Sequence, residues 1–377
     1  MLKKSPVSIL LSTALMGFSV FGLGYTATAL SHQTSNADKR PIAGELELVA
    51  ELPIRPGNVT VNHQGRIFTT VHPLDGPRSV QLIEITGKNT YTAWPNTKVQ
   101  NGGKIANDNQ LDTPLGIVID GNDTLWVVDI GLNLGKTRIF GFDIKTGNLL
   151  KRFDLDASIA PKGSFVQDLA VDEKNGWIYL ADLADPSIIA INMKNGQARK
   201  FANHPSLRSE ESSQMKIGGK PILFHGSPAN IGINPITLSA DNETIYFGAM
   251  TGQSWYGVPA KLFRDGASDD QIAASISRVG SKPISDGAST DAQGNHFFTN
   301  LNEGGIDMLS NDGYLVPLVR NIELDWPDNA HFGPNSWLYL SVNQLHKTPA
   351  FTGGKDTAQG KFKIFRVWTG TAGVVGR

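Results

Sequence analysis

The chain has 377 residues, 34 basic and 35 acidic side chains, and a formal net charge of −1. A surface so balanced carries no basic footprint for nucleic acid, whose binding depends on Lys and Arg neutralising phosphates, so no nucleic-acid partner is expected. There is no cysteine, which excludes disulfides, Cys-ligated zinc and thiol nucleophiles together.

Lys3 and Lys4 precede an apolar run from Val7 to about Gly24, and Ala27-Thr28-Ala29 supplies the small residues of a cleavage site. This is the pattern of a secretory signal peptide over residues 1–29. Val7 to Tyr25 is also nearly long enough for an uncleaved membrane anchor. The interrupting Gly17, Gly22 and Gly24 and the cleavage site favour processing, so the expectation is a secreted or periplasmic protein with no stable membrane insertion. Residues 30–43 are read as a flexible lead-in. Residues 44–377 are read as a single domain that, lacking disulfides, must bury one extensive apolar interior.

One pattern then recurs six times: GNVTVNHQGRIFTTV (57–71), LGIVIDGNDTLWVVD (115–129), QDLAVDEKNGWIYLAD (167–182), NPITLSADNETIYFGA (234–249), DGASTDAQGNHFFTN (286–300) and DNAHFGPNSWLYLSV (328–342). Each copy is an extended run, a turn rich in Gly, Asn and Asp, and a second run, which is the signature of a β-hairpin. Between copies lie further strand–turn–strand stretches such as 137–155 and 187–202, whereas helical periodicity is hard to find. The spacing fits four strands per repeat, so the chain is predicted to be all-β, a six-bladed β-propeller with a central channel. The first strand of each copy should be innermost, and the end strands 44–52 and 361–368 should share a blade and close the ring.

Aligned on their turns, the copies place Gly57, Leu115, Gln167, Asn234, Asp286 and Asp328 around one mouth of the channel. Two neighbouring carboxylates aimed at one axis repel unless something lies between them. A divalent cation, calcium in the first instance, would accept Gln167, Asn234, Asp286 and Asp328 as oxygen ligands, and ordered water is the alternative. Asp168 could join them or face its own loop. Asp120, Asp172, Asp241 and Asp291 fall where turns want Asx side chains. Trp126, Trp177 and Trp337 read as inter-blade packing. No HExxH spacing marks a zinc centre. His331, three residues after Asp328 on an inner strand, is the histidine placed to act with a carboxylate as acid or base. GQS at 252–254 is not a nucleophile elbow, and nothing indicates a nucleotide cofactor.

The chain resembles the Yellow and major royal jelly protein family, in particular its bacterial dopachrome tautomerase-related branch. The resemblance rests on TPLGIVIDGNDTLWVVDIGL (113–132), FVQDLAVDEKNGWIYLADL (165–183), HPSL (204–207), IGINPITLSADNETIYFGAMTG (231–252), SDGASTDAQGNHFFTNL (285–301) and WLYLSVNQLHKTPAF (337–351). It implies a six-bladed, commonly secreted propeller, and relatives that bind small aromatic amines in the channel. A wider resemblance to regucalcin and gluconolactonase propellers implies a metal at the inner-strand position. Asn234 and Asp286 match that pattern, Gln167 stands for an expected Asn, and Gly57-Asn58 replaces an expected Glu.

Two functions follow as expectations. In the first, Asn234, Asp286 and Asp328 bind an amine or catechol-like small molecule whose ring meets Trp255 or Trp326. In the second, the channel carboxylates serve a metal-dependent lactone hydrolase or a dopachrome-type tautomerase, with Asp286 or His331 moving the proton. The connection 203–230 is the segment expected to meet a protein partner, of unknown identity, or to form a solvated lid.

Overall fold

Each repeated hairpin forms the inner half of a four-stranded antiparallel sheet. The computed structural model describes residues 41–377, and the signal-peptide reading of 1–29 lies outside the described residues. The inner strands are Pro56–Val61, Pro114–Ile119, Val166–Asp172, Ile233–Leu238, Ala288–Thr290 and Pro327–Phe332, which define blades 1 to 6. Each inner strand touches those of the two adjacent blades, and that of blade 6 returns to that of blade 1. The ring is therefore a six-bladed propeller.

Burial along the strands explains their composition. The inner strands are covered on both faces by neighbouring blades and read as nearly continuous buried runs, such as Pro114–Ile119. The outer strand of blade 2, Leu149–Asp154, is largely exposed and carries Lys151, Arg152 and Asp154. Every blade interface has its own apolar cluster. Blades 3 and 4 pack Tyr179, Phe201, Phe247 and Phe263 together, whereas blades 4 and 5 share a small cluster of Trp255, Ala288, Phe298 and Leu309.

Blade 6 closes the ring as expected. Its inner pair, Pro327–Phe332 and Trp337–Val342, continues through Phe362–Trp368 to Leu46–Leu52, the first strand of the described chain. Hydrogen bonds thus tie the two sequence ends of the ring into one sheet and leave no open blade edge between them. Where strand patterns alone were expected, short helices also occur: Ala260–Arg264 and Asp269–Ser275 follow the third strand of blade 4. Ser268 caps the second of these in a capping box with Gln271. Helices this short carry too few turns for a periodic signal.

The two channel mouths are covered differently. At the strand-end mouth, residues 372–377 cross the opening: Ala292 N donates to Ala372 O and Val171 N to Gly376 O, while Arg377 donates to Leu238 O (2.9 Å) and Ser239 O (2.8 Å). At the strand-start mouth, the connection 203–230 lies across the opening. It contributes Met215, Ile217, Ile222 and Phe224 to an apolar cluster with Ile284, Trp326, Leu345 and Phe351. The polar character of 203–230 in sequence belongs to its outer face, and its underside is apolar.

Closure by the shared blade has a measurable consequence. Phe365 pairs with Leu48 and Leu340 and is 3% exposed, so Phe365→Ala should lower stability by about 3–5 kcal/mol. Leu149→Ala on the exposed outer strand of blade 2 should stay within about 0.5 kcal/mol. Urea unfolding of both variants checks this, and equal effects would mean that the terminal strands do not hold the ring.

Candidate functional site: a carboxylate cage in the channel

Local backbone irregularity builds the site. Five inner strands slip register near their starts, between Pro56 and Val59, Pro114 and Ile117, Val166 and Asp168, Ile233 and Ile236, and Pro327 and Ala330. A bulge frees residues from the ladder and re-aims their side chains. Packing at the axis is tight. A Cβ on Gly116 would lie 2.0 Å from Gln167 O, and one on Gly287 would lie 2.6 Å from Asn329 Cα. Glycine there lets neighbouring inner strands approach.

The polar residues of blades 3 to 6 meet as the repeat register predicts. Gln167 Nε2 donates to Asp286 Oδ1 at 2.9 Å. Asn234 Nδ2 donates to the same oxygen and to the Asp286 carbonyl. Trp326 Nε1 donates to Asp286 Oδ2 at 2.7 Å, and Asn343 Nδ2 to Asp328 Oδ2 at 2.7 Å. Asp168 turns inward and accepts from Asn58 Nδ2 at 2.7 Å. All three carboxylates are at most 4% exposed. Asn58 Oδ1, Asn234 Oδ1 and Asp328 Oδ1 are buried without a hydrogen-bond partner.

Electrostatics follow from this burial. Loss of solvent is the main cause that raises Asp168, Asp286 and Asp328, the last to about 7. The charge of Asp328 raises Asp168 and Asp286 further. His72 stands at the edge of the cage, with Nε2 4.0 Å from Asp328 Oδ2. Its Nδ1 accepts from Leu74 N, so the ring proton is on Nε2 and faces the carboxylate. Burial lowers His72 to about 3 and keeps it neutral.

The other expected residues differ in whether they reach the cage, which Trp326 does through its indole N–H. Trp326 is under the lid, stacked on His346 and edge-on to Phe351. Trp255 is fully buried between blades 4 and 5 against Phe298 and His296, and the structure does not bring it to the cage. His331 is buried, its Nδ1 is unpartnered, and it forms no hydrogen bond or ion pair with the carboxylates. Asp120 and Asp291 do serve their turns, each accepting from backbone amides two and four residues on. Among the described residues, no three His, Asp or Glu side chains are arranged to hold a metal ion by themselves. A cation would depend on the amide oxygens as well. Repeat alignment missed Asn58, His72 and Asn343. For Asn58 the available signal was a polar residue directly after the aligned position, as also at Asp168 and Asn329, since a bulge exposes two successive residues.

These shifts set the pH response. A carboxyl raised in the folded state stabilises most below its unfolded value, about 4, and loses that contribution as pH rises through its folded value. For Asp328 this window is about pH 4 to 7. Buried His72, His296 and His331, lowered to about 3, 4 and 4, act oppositely and destabilise as pH falls below about 6.5. Comparing the protein with Asp328→Asn isolates the carboxyl: the stability of the parent relative to the variant should fall from pH 4 to 7 and then level. Urea unfolding across that range measures it, and a flat difference would refute the raised carboxyl.

The comparisons agree with this architecture. The family model described as "Major royal jelly protein" matches residues 113–314, more than half of the chain. "Protein yellow" of Drosophila pseudoobscura pseudoobscura is 25% identical over 228 residues, 55% of this chain and 40% of that protein. "Major royal jelly protein 6" of Apis mellifera is 24% identical over 161 residues, 39% of this chain and 35% of that protein. The aligned part thus spans about two fifths of the length of these relatives. Among solved structures, a luciferin-regenerating enzyme superposes with a TM-score of 0.56 at 11% identity, covering 88% of this chain and 98% of that one. Regucalcin of Agrobacterium tumefaciens, a calcium-binding protein, gives 0.55 at 16% identity with the same coverages. Such identities carry the fold and not the activity. With its ring of six blades and a match over most of four of them, the chain belongs to the major royal jelly protein family.

Proposed function

We propose that the protein binds a small aromatic amine in its central channel, beneath the 203–230 lid. The observation that carries this reading is the set of three buried, unpartnered acceptors, Asn58 Oδ1, Asn234 Oδ1 and Asp328 Oδ1. A primary ammonium has three N–H donors and no acceptor, which is the complement of such a set. Its charge would also offset carboxylates that have no Lys or Arg hydrogen-bonded to them. The aromatic roof of Trp326, Phe351 and Phe224 suits a ring attached to that ammonium. Entry requires the lid to lift. Export, as read from residues 1–29, accompanies this proposal and places the protein in a secreted or periplasmic setting.

The same oxygens favour a second reading, a metal-assisted lactone hydrolase or tautomerase. Carboxylate and amide oxygens are the donors that calcium accepts, and Asn58, Asn234, Asp286 and Asp328 would hold it. A bound divalent cation would supply polarisation of a substrate carbonyl. His72 Nε2 and the raised Asp328 are the groups placed to hold or move a proton there.

Calorimetric titration with phenethylamine, with and without calcium, separates the two. The first reading expects saturable binding that Asp328→Asn weakens at least about tenfold, the loss of one charge-assisted hydrogen bond, and that weakens as pH falls below 7 and the cage takes up protons. The second expects stoichiometric calcium that is lost in Asp286→Ala. If neither phenethylamine nor calcium binds, both readings fail.

A further inference from the structure

A cavity lies beside the cage. It has a volume of about 500 Å³ and opens between blades 1 and 2 at the lidded mouth, within the range of small-molecule sites. It adjoins the sector of the channel ring that lacks polar groups at the aligned position. Gly57 and Leu115 occupy it there, and Leu115 packs over Gly57 so closely that a Cβ on the glycine would meet its Cδ1 at 2.6 Å. Part of the wall is apolar, from Val71, Val80, Pro114, Leu132 and Ile105. Leu132 and Ile105 are 40% and 78% exposed, so both present apolar surface to the cleft.

The exposed charges at this cleft are basic. Arg78 and Lys104 line it. Arg78 uses Nε on Asp75 at 2.6 Å, and its two terminal nitrogens make no hydrogen bond to the described residues, which leaves the fork that matches a carboxylate. The acidic side chain lining the cleft, Asp112, is 2% exposed and already accepts from Asn133 N, Asn133 Nδ2 and Leu134 N. His72 forms part of the cleft lining and also faces Asp328, so one side chain separates the two sites.

We propose that this cleft is a second binding site, selective for small amphipathic monoanions: an aryl or alkyl body against Leu132, Ile105 and Val80, and a carboxylate on Arg78 and Lys104. The channel prefers cations and the cleft prefers anions. The cleft site is independent of the amine reading and can be tested apart from it.

The test uses 3-phenylpropionate, which presents to the cleft the same aryl body that phenethylamine presents to the channel. Calorimetry or ligand-observed NMR should show saturable binding of 3-phenylpropionate to the whole protein. The neutral 3-phenylpropionamide should bind at least about tenfold more weakly, as should 3-phenylpropionate to an Arg78→Gln/Lys104→Gln double variant. Lys104→Gln alone, at an exposed position, should reproduce part of the loss in a protein of unchanged circular dichroism. Asp328→Asn should leave 3-phenylpropionate binding within about twofold. No saturable binding, equal affinity for acid and amide, or unchanged affinity in the double variant would each overturn the proposal. Loss on Asp328→Asn alone would also overturn it, by placing the anion in the channel.

Discussion

Three carboxylates buried at one axis without a hydrogen-bonded cation are the constraint on which the channel depends. Asp168, Asp286 and Asp328 repel one another, and burial denies them water. The protein answers with neutral donors: Asn58, Gln167, Asn234, Trp326 and Asn343 each turn an N–H toward a carboxylate. An amide is a donor and an acceptor on one plane. Once its nitrogen is committed to a carboxylate, its oxygen must point elsewhere, and in Asn58 and Asn234 that leaves a buried acceptor with no partner. The solution to the charge problem thereby makes a surface composed of acceptors. Such a surface selects donors and cations whatever their origin, and a proton is the default occupant when neither is present.

The packing of the ring keeps these groups close. Each blade interface has its own apolar cluster, and the shared blade 6 joins the chain's distant strands, so inner strands cannot separate without exposing core. Rigidity of this kind lets like charges be held together at a stability cost. The ends of the channel are not equivalent. Arg377 and its neighbours bind to backbone carbonyls and amides of blades 3 to 5 at one mouth. The lid at the other mouth rests on apolar contacts and a few hydrogen bonds, such as His225 N to Ala350 O.

What could be read from sequence divides along physical lines. Strand pairs repeat because each blade has the same packing problem, and this made six blades, the inner strands and ring closure legible from 57–71 through 328–342. The register also placed Gln167, Asn234, Asp286 and Asp328 together. It did not place Asn58 or the inward turn of Asp168, because a bulge breaks the period-two rule on which side-chain facing is judged. His72 and Asn343 lie just after second strands, at positions that no inner-strand alignment samples. Trp255 and Trp326 looked alike in sequence. The difference lies in tertiary context: Trp326 has a positive φ of 64° before Pro327 and turns its indole toward Asp286, whereas Trp255 sits mid-strand between two blades. The lid's apolar underside was hidden because Met215, Ile217, Ile222 and Phe224 are scattered among polar and glycine residues over two very short hairpins.

Family membership and ligand identity separate for the same reason. The residues that make this a propeller are those between blades, whereas those that meet a ligand are one or two per inner strand together with the lid and the neighbouring loops. Changing Gly57 or Leu115 to a polar residue would alter the mouth without serving any strand ladder, although the close contact between those two sets a steric limit. In this chain the mouth is divided accordingly: blades 3 to 6, with Asn58, provide acceptors, and the blade 1–2 side provides an apolar cleft bordered by Arg78 and Lys104. His72 stands on the boundary, with one ring nitrogen committed to the backbone and the other turned toward Asp328. Each compartment therefore presents its own lining, a division set by the loops and inner-strand residues of the mouth and not by the fold.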